Sequence, residues 1–204
     1  MQKFCVLCLT ILLFTGCSKN TSVEIPSANN NGGSPGGNNG GNNGGNNGGN
    51  NGGSNTACCY IKADIDGNTT TFDQMPTANS TSALGLSSFG MTAFSSSQAV
   101  IVLNIGVVPG NTIGAGTYTE TDISKFLVVG SYTAKPGSIS DSYSAGNGLS
   151  YNTSNPLTIV ITSLDSKTVK GTFSGNMWGM DPTTGTTNSN KKTFTNGSFN
   201  LQIK

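Results

Sequence analysis

The stretch LTIVITSLDSKTVKGTFSG, Leu157 to Gly175, decides the fold. Leu157, Ile159 and Ile161 alternate with Thr158 and Thr162. Beyond Asp165-Ser166-Lys167, Val169 and Phe173 alternate with Lys170, Thr172 and Ser174. A period of two sends one set of side chains to a core and the other to water, which marks a half-buried strand. The polar residues between the two runs favour a tight turn, so the pair reads as a hairpin. Met177 continues the face of Val169 and Phe173. Phe199, Leu201 and Ile203 alternate with Ser198, Asn200 and Gln202 after an expected turn at Asn196-Gly197. Upstream, Asp66-Gly67-Asn68 separates Ile61–Ile65 from Thr69–Phe72. Ala99–Leu103 and Lys125–Tyr132 are nearly continuous apolar runs, which predicts central strands covered on both faces. No apolar i, i+3, i+4, i+7 pattern persists over ten residues, and Ser, Thr, Asn and Gly dominate, all poor in helix interiors. The expectation is an all-β domain over residues 57–204: an antiparallel sandwich or flattened barrel of about eight to ten strands.

The N-terminus reads as an address. Lys3 precedes an eleven-residue apolar run, Phe4 to Phe14, broken only by Thr10. A membrane span needs about 20 such residues, so the run fits a secretory signal over residues 1–16. It ends in Phe14-Thr15-Gly16-Cys17. Small residues directly before a cysteine resemble the lipobox of bacterial lipoproteins, with Phe14 where Leu is usual. The resemblance implies cleavage before Cys17 and acylation of its thiol. Two or three acyl chains hold a protein durably at about 0.8 kcal/mol per buried CH₂. The expected location is the bacterial cell envelope, anchored in the outer membrane by lipid, with the membrane itself as a partner.

Residues 17–56 form a linker. Gly-Gly-Asn-Asn recurs four times between Gly36 and Asn51, and no large apolar residue falls between Asn29 and Thr56. Such a segment cannot bury enough surface to offset its ordering entropy, so it reads as a disordered tether.

Composition excludes several chemistries. The chain has 204 residues, no His, no Arg and a net charge of +1. A Ser-His-Asp triad and imidazole metal ligation are ruled out, and a near-neutral chain has no footprint for nucleic acid. Cofactors and resident metals are not expected.

The order of segments adds a resemblance. A lipobox and Gly/Asn tether lead into YIKADIDGNTTTF (60–72), then Gly116-Thr117-Tyr118, the 157–175 pair and a closing TFTNGSFNLQIK (193–204). This arrangement is similar to the small β-rich lipoproteins of unknown function found in Bacteroidetes. Its most specific parts are Thr168–Gly175 and Thr195–Phe199, and it brings no catalytic motif.

The candidate chemistry is sparse. Cys58 and Cys59 are adjacent and are the only thiols left after processing. They are a vicinal disulfide, two free or partly buried thiols, or a redox or metal pair, the last disfavoured by the lack of CxxC spacing and of His, with Cys59 expected to point inward beside Ile61. Asp64, Asp66, Asn68 and Asp73 superficially suggest a calcium loop, but Gly67 and Met75 fall at the wrong positions for an EF-hand, and a hairpin turn accounts for them. Asp64/Asp66 and Glu120/Asp122 are spaced to share a strand face, with Cα atoms roughly 6.5–7 Å apart, near the spacing glycosidases use. Trp178, the single Trp, is expected between two strands, and Tyr143 and Tyr151 flank a Gly/Ser-rich loop. All three are candidate ligand-facing aromatics. Lys191-Lys192 reads as a solvated loop. The expected function is a non-catalytic binding or structural module of the envelope, with a protein or glycan partner. The alternative is a carbohydrate-active enzyme working through carboxylates.

Overall fold

A computed structural model describes residues 58–83 and 86–204. The expected leader, the lipidation site Cys17 and the tether lie outside the described residues.

Ten antiparallel strands follow in order: β1 (Tyr60–Ile65), β2 (Asn68–Ala83), β3 (Leu86–Ser95), β4 (Val100–Val107), β5 (Gly116–Thr119), β6 (Phe126–Thr133), β7 (Ser142–Gly146), β8 (Thr158–Leu164), β9 (Thr168–Met180) and β10 (Thr187–Gln202). Among the described residues a single 3-10 turn, Ile139–Asp141, precedes β7. The strands form one sheet, ordered β10-β1-β2-β3-β4-β6-β7-β9-β8-β5. β9 also pairs with β10, which closes eight strands into a ring and leaves β8 and β5 as a flap on β9. The fold is therefore a barrel, one of the two expected architectures. Closure matters because an open sheet would expose unpaired edges.

Alternation fills the ring. Ile61, Phe72, Phe89, Met91, Ile101, Leu103, Ile105, Phe194 and Phe199 are fully buried or nearly so and belong to one cluster. An eight-stranded barrel is just wide enough for side chains to fill, so the interior is a packed core. β4 differs from expectation. Its residues alternate between buried and half-buried, so one face is core and Val100 and Val102 lie on the outer side. The same holds for β6. Apolar runs arise there because the outer face also carries valines.

The hairpin turns are legible in local chemistry. Asp66 (φ 51°) and Gly67 (φ 84°) join β1 to β2 in the positive-φ pair that two-residue hairpins need. Asp165 stops β8 and starts β9 by accepting the Lys167 and Thr168 N–H groups. β2 bends at Met75-Pro76, where its register against β3 slips and Pro76 needs no ladder donor.

Asn196-Gly197 is not the expected turn. β10 runs through it unbroken, and the pair forms a β-bulge: Phe194 faces Gly175 and Gly197 faces Phe173, three steps on β10 against two on β9. Asn196 takes the left-handed conformation (φ 50°) that such a bulge requires. The same residue pair suits both a turn and a bulge, and the continuing register on both sides decides for the bulge.

The ring-closing seam follows from the bulge. Across it, Gly171 faces Phe199 and Phe173 faces Gly197. A methyl group at 171 would overlap the Val160 carbonyl oxygen and the Phe199 ring. One at 197 would overlap the Phe173 carbonyl oxygen and its ring. Each phenylalanine lies over the glycine opposite. Gly171→Ala should therefore destabilise the domain by about 1–3 kcal/mol through overpacking, and Phe199→Ala by about 3–5 kcal/mol through a cavity. Urea unfolding followed by circular dichroism measures both, and an unchanged midpoint for Gly171→Ala would contradict the seam.

Candidate functional site

β7 and β8 both pair with β9, at successive stretches of it. Ser144 and Tyr143 lie opposite Trp178 and Gly179, while Thr158 to Leu164 lie opposite Ser174 to Val169. The two short strands meet nearly end to end, and residues 147–157 make an excursion between them. Gly175 (φ 139°) leaves no room for a side chain here, because a Cβ would press on Leu157 Cα and the Pro156 carbonyl at 2.6 Å.

Glu120, just after β5, fills this junction. It is 5% exposed. One carboxyl oxygen accepts the Leu157 N–H at 2.8 Å, and the other accepts the Gly146 N–H at 2.6 Å and the Ser150 hydroxyl. Its backbone bonds Leu157 and the Asn147 side-chain amide. A single side chain thus satisfies the donors that the strand break frees, and it ties the flap to the ring. Tyr118 on β5 packs edge-on against Phe126 on β6 at 4.7 Å beside it.

The excursion lies on the outer face of β9. Asn176, 2% exposed, holds its far end: its side chain donates to the Ser154 carbonyl, and it accepts from the Asn155 amide and the Thr193 hydroxyl. Tyr151, 54% exposed, covers Trp178 with ring centroids 5.6 Å apart. Lys191 Nζ stands 5.8 Å from the indole centroid. Trp178 is 4% exposed, and its Nε1 has no hydrogen-bond partner among the described residues. This corrects the sequence expectation twice. Trp178 belongs to β9 and not to a connection, and Tyr151 covers it, so its face is not offered to a ligand. Tyr143 sits on β7, half-buried against the core near Tyr132, with Lys192 Nζ 5.7 Å from its centroid. Of the three aromatics only Tyr151 is broadly exposed.

The four paired acids do not act as pairs. Asp64 accepts from the Thr69 hydroxyl and, at 2.8 Å, from the Asn196 amide, so it stitches β1 to β2 and to the β10 bulge. Asp66 meets Lys192 Nζ at 2.8 Å and accepts the Thr193 N–H, which fixes the first hairpin to β10. Asp122 caps its own turn through Ser124. Glu120 is buried away from it. Lys192 is therefore tied rather than free in a solvated loop. No group of three or more candidate metal ligands occurs among the described residues.

Cys58 and Cys59 form a disulfide, with Cα atoms 3.7 Å apart. Cys59 (φ 95°) breaks the alternation and does not point into the core beside Ile61. It is half-buried in the wall of an outer hollow of about 460 Å³ with Tyr60, Lys62, Thr71, Asp73 and Ser198. A second hollow, about 430 Å³, shares Ser198 with it and is lined by residues of β8, β9 and β10, Val160, Thr172 and Phe173 among them. Sequence reasoning missed this surface, since its residues come from five strands.

Two predictions follow from this geometry. Glu120→Ala leaves the Leu157 N–H unpaired, at about 1–3 kcal/mol, and leaves the Gly146 N–H only its 3.3 Å bond to the Ser150 hydroxyl. The expected loss is about 2–5 kcal/mol, and acrylamide should quench Trp178 more strongly as the covering segment loosens. Unchanged quenching would contradict the clamp. The second concerns acid. Hydrogen bonds hold several carboxyls below their usual 3.8: Asp64 through Asn196 and Thr69, Asp165 through Lys167 and Thr168, Asp181 through Thr183 and Thr184. A depressed folded pKa gives stability above the unfolded value that is lost as pH falls through the folded one. With no His, the melting temperature should stay flat from about pH 8 to pH 5 and decline below about pH 4. A step between pH 6 and 7 would contradict this.

No family model matches the chain, and no curated protein or solved structure is similar to it at a significant level.

Proposed function

We propose that this protein is a lipid-anchored, non-catalytic module of the bacterial cell envelope, of the same kind as the small β-rich lipoproteins of Bacteroidetes. The carrying observation is Thr15-Gly16-Cys17 directly after an eleven-residue apolar run. On this reading residues 1–16 are removed, Cys17 becomes the acylated first residue, and residues 17–56 hold the barrel away from the outer membrane that anchors it. Among the described residues no helix is long and apolar enough to cross a membrane. The outer face of the ring, rich in Ser, Thr, Asn and Lys over an apolar interior, is the reverse of a lipid-facing barrel.

The commitment of the carboxyl groups supports a non-catalytic role. Glycoside hydrolysis by carboxyl groups uses a pair of them at a set distance with a substrate path to both. Asp64, Asp66, Glu120 and Asp122 each bond to separate parts of the scaffold. The domain offers a fixed surface to a protein or glycan partner.

Mass spectrometry of the native polypeptide tests the anchor. The expected N-terminal peptide starts at Cys17 and carries acyl chains, and Cys17→Ser should move the protein from the membrane to the soluble fraction. An intact leader, or an unmodified first residue elsewhere, would overturn the reading.

A further inference from the structure

The Cys58–Cys59 bond holds no two parts of the fold together. Its cysteines are already joined by a peptide bond, so it closes a ring with no residue between them. A disulfide stabilises chiefly by restricting the unfolded chain, and the gain grows with the loop it closes. Here there is no loop to close. The pair is therefore not a structural staple.

The bond instead distorts the start of β1. Among the described residues six that are not glycine have a positive φ. Asp66, Met75, Gln98, Asn155 and Asn196 lie between 48° and 67°, in the left-handed helical region. Cys59, at 95°, lies outside it. The ladder shows the effect. Tyr60 faces Asn200 and Ile61 faces Phe199, which makes Leu201 the next partner in line for Cys59. The Cys59 N–H goes to the Asn200 carbonyl at 2.9 Å, the residue that already faces Tyr60. Ile61, Ala63 and Ile65 point into the core, and strand alternation would send Cys59 with them, beside the buried Leu201. The alternation in the sequence thus describes the strand that would form without the bond.

The same pair is open to attack. Cys58 is exposed and Cys59 is half-buried. A trans peptide holds neighbouring Cα atoms about 3.8 Å apart, below the roughly 4.4–6.8 Å that most disulfides span. Constrained and exposed disulfides are the readily reduced ones. The pair lacks the CxxC spacing of thiol–disulfide catalysts, so it is the acceptor in such an exchange and not its catalyst.

We propose that Cys58–Cys59 is a redox switch opened by a dithiol donor, and that its opening lets Cys59 turn inward and lengthen β1 by one residue. A donor thiolate attacks the exposed Cys58 sulfur. The S–S bond breaks, and the Cys59 sulfur leaves as a thiolate that takes up a proton. The donor's second thiol then attacks its own sulfur in the mixed disulfide. A disulfide forms in the donor, and Cys58 is released as a thiol. Two electrons and two protons pass from donor to protein. Freed from the ring, Cys59 relaxes to an extended φ and its side chain joins the face of Ile61. The direction in which the chain enters the barrel changes with it. The inference stands on the barrel alone and does not need the lipid anchor.

The folded full chain is treated with dithiothreitol, and the mass of the peptide carrying Cys58 and Cys59 is followed. The bond should open without urea and close again when oxidised glutathione replaces the reductant. Iodoacetamide then reports where each thiol lies, through Cys58 in Cys59→Ala and through Cys59 in Cys58→Ala. Cys58 should react about tenfold faster than Cys59 in the folded protein, since access limits the buried thiol, and at an equal rate in urea. The reduced wild type should melt no lower than the oxidised form, whereas loss of a staple would lower the midpoint. Trp178 fluorescence reports that each variant is folded. Opening only in urea, failure to close, equal labelling of the two thiols in the folded state, or a lower melting point after reduction each overturn the proposal. Loss of the Cys17 anchor would overturn the envelope reading and leave the switch standing.

Discussion

Closure of the ring rests on one seam. β9 and β10 pair over most of their length, and at its centre the backbones must pass with bulky rings between them. The solution is reciprocal: Phe199 covers Gly171 from one strand and Phe173 covers Gly197 from the other. Two large side chains directly opposite each other would crowd a barrel of this diameter, and two small ones would leave a void. Alternating large and small across the seam fills the space once. The bulge at Asn196 sets this register, because without its extra residue Gly197 would not face Phe173. Asn196 also bonds Asp64, which carries the constraint into β1. The segments most specific in the sequence, Thr168–Gly175 and Thr195–Phe199, are the two sides of this seam.

Glu120 solves the opposite problem. Where the seam joins two continuous strands, the far edge of β9 meets two interrupted ones. A strand break inside a closed sheet leaves buried N–H donors without partners, and such groups must be satisfied. A carboxyl group suits the task because it accepts through two oxygens at once. Its three donors come from 26 to 37 residues away. The loop that leaves the break is then held at its start by Asn147 and Ser150 and at its end by Asn176. Only Tyr151 and its neighbours remain between the clamps, resting on Trp178.

Much of the architecture was legible because the barrel obeys the period of two. Leu157, Ile159, Ile161, Val169, Phe173 and Met177 all point inward as their alternation predicts. What escaped was whatever depends on distant partners. The length of β2 was hidden because its inward positions include only Phe72 and Ala78 among many hydroxyls. Asn196-Gly197 carries the same local preference in a turn and in a bulge, and only the pairing with β9 separates the two. Burial of Glu120 and Trp178 is a property of the 147–157 excursion, whose position no local pattern encodes. The spacing of Glu120 and Asp122 suggested a shared face, but β5 ends at Thr119 and the alternation ends with it. The two outer hollows were invisible for the same reason, since their lining comes from strands that are far apart in sequence.

A filled barrel restricts where recognition can occur. The interior of this ring is occupied by phenylalanine, isoleucine and leucine side chains, so a ligand has no lumen to enter. Recognition must use the outside, where a sheet offers a broad surface with few deep pockets. Hydrogen bonds made there replace bonds to water and each contributes only about 0.5–1.5 kcal/mol net. A binding module of this kind would therefore bind weakly as a single domain. On the proposed reading the tether changes that balance. A Gly-rich coil of the length expected there would have a root-mean-square reach of about 30 Å, and on the same reading neighbouring anchored copies meet one partner. Linked contacts on one surface raise avidity by effective concentration without any stronger site. On that reading the spacer expected from the sequence and a shallow polar outer surface suit one another: the first supplies the reach and multiplicity that the second, alone, lacks.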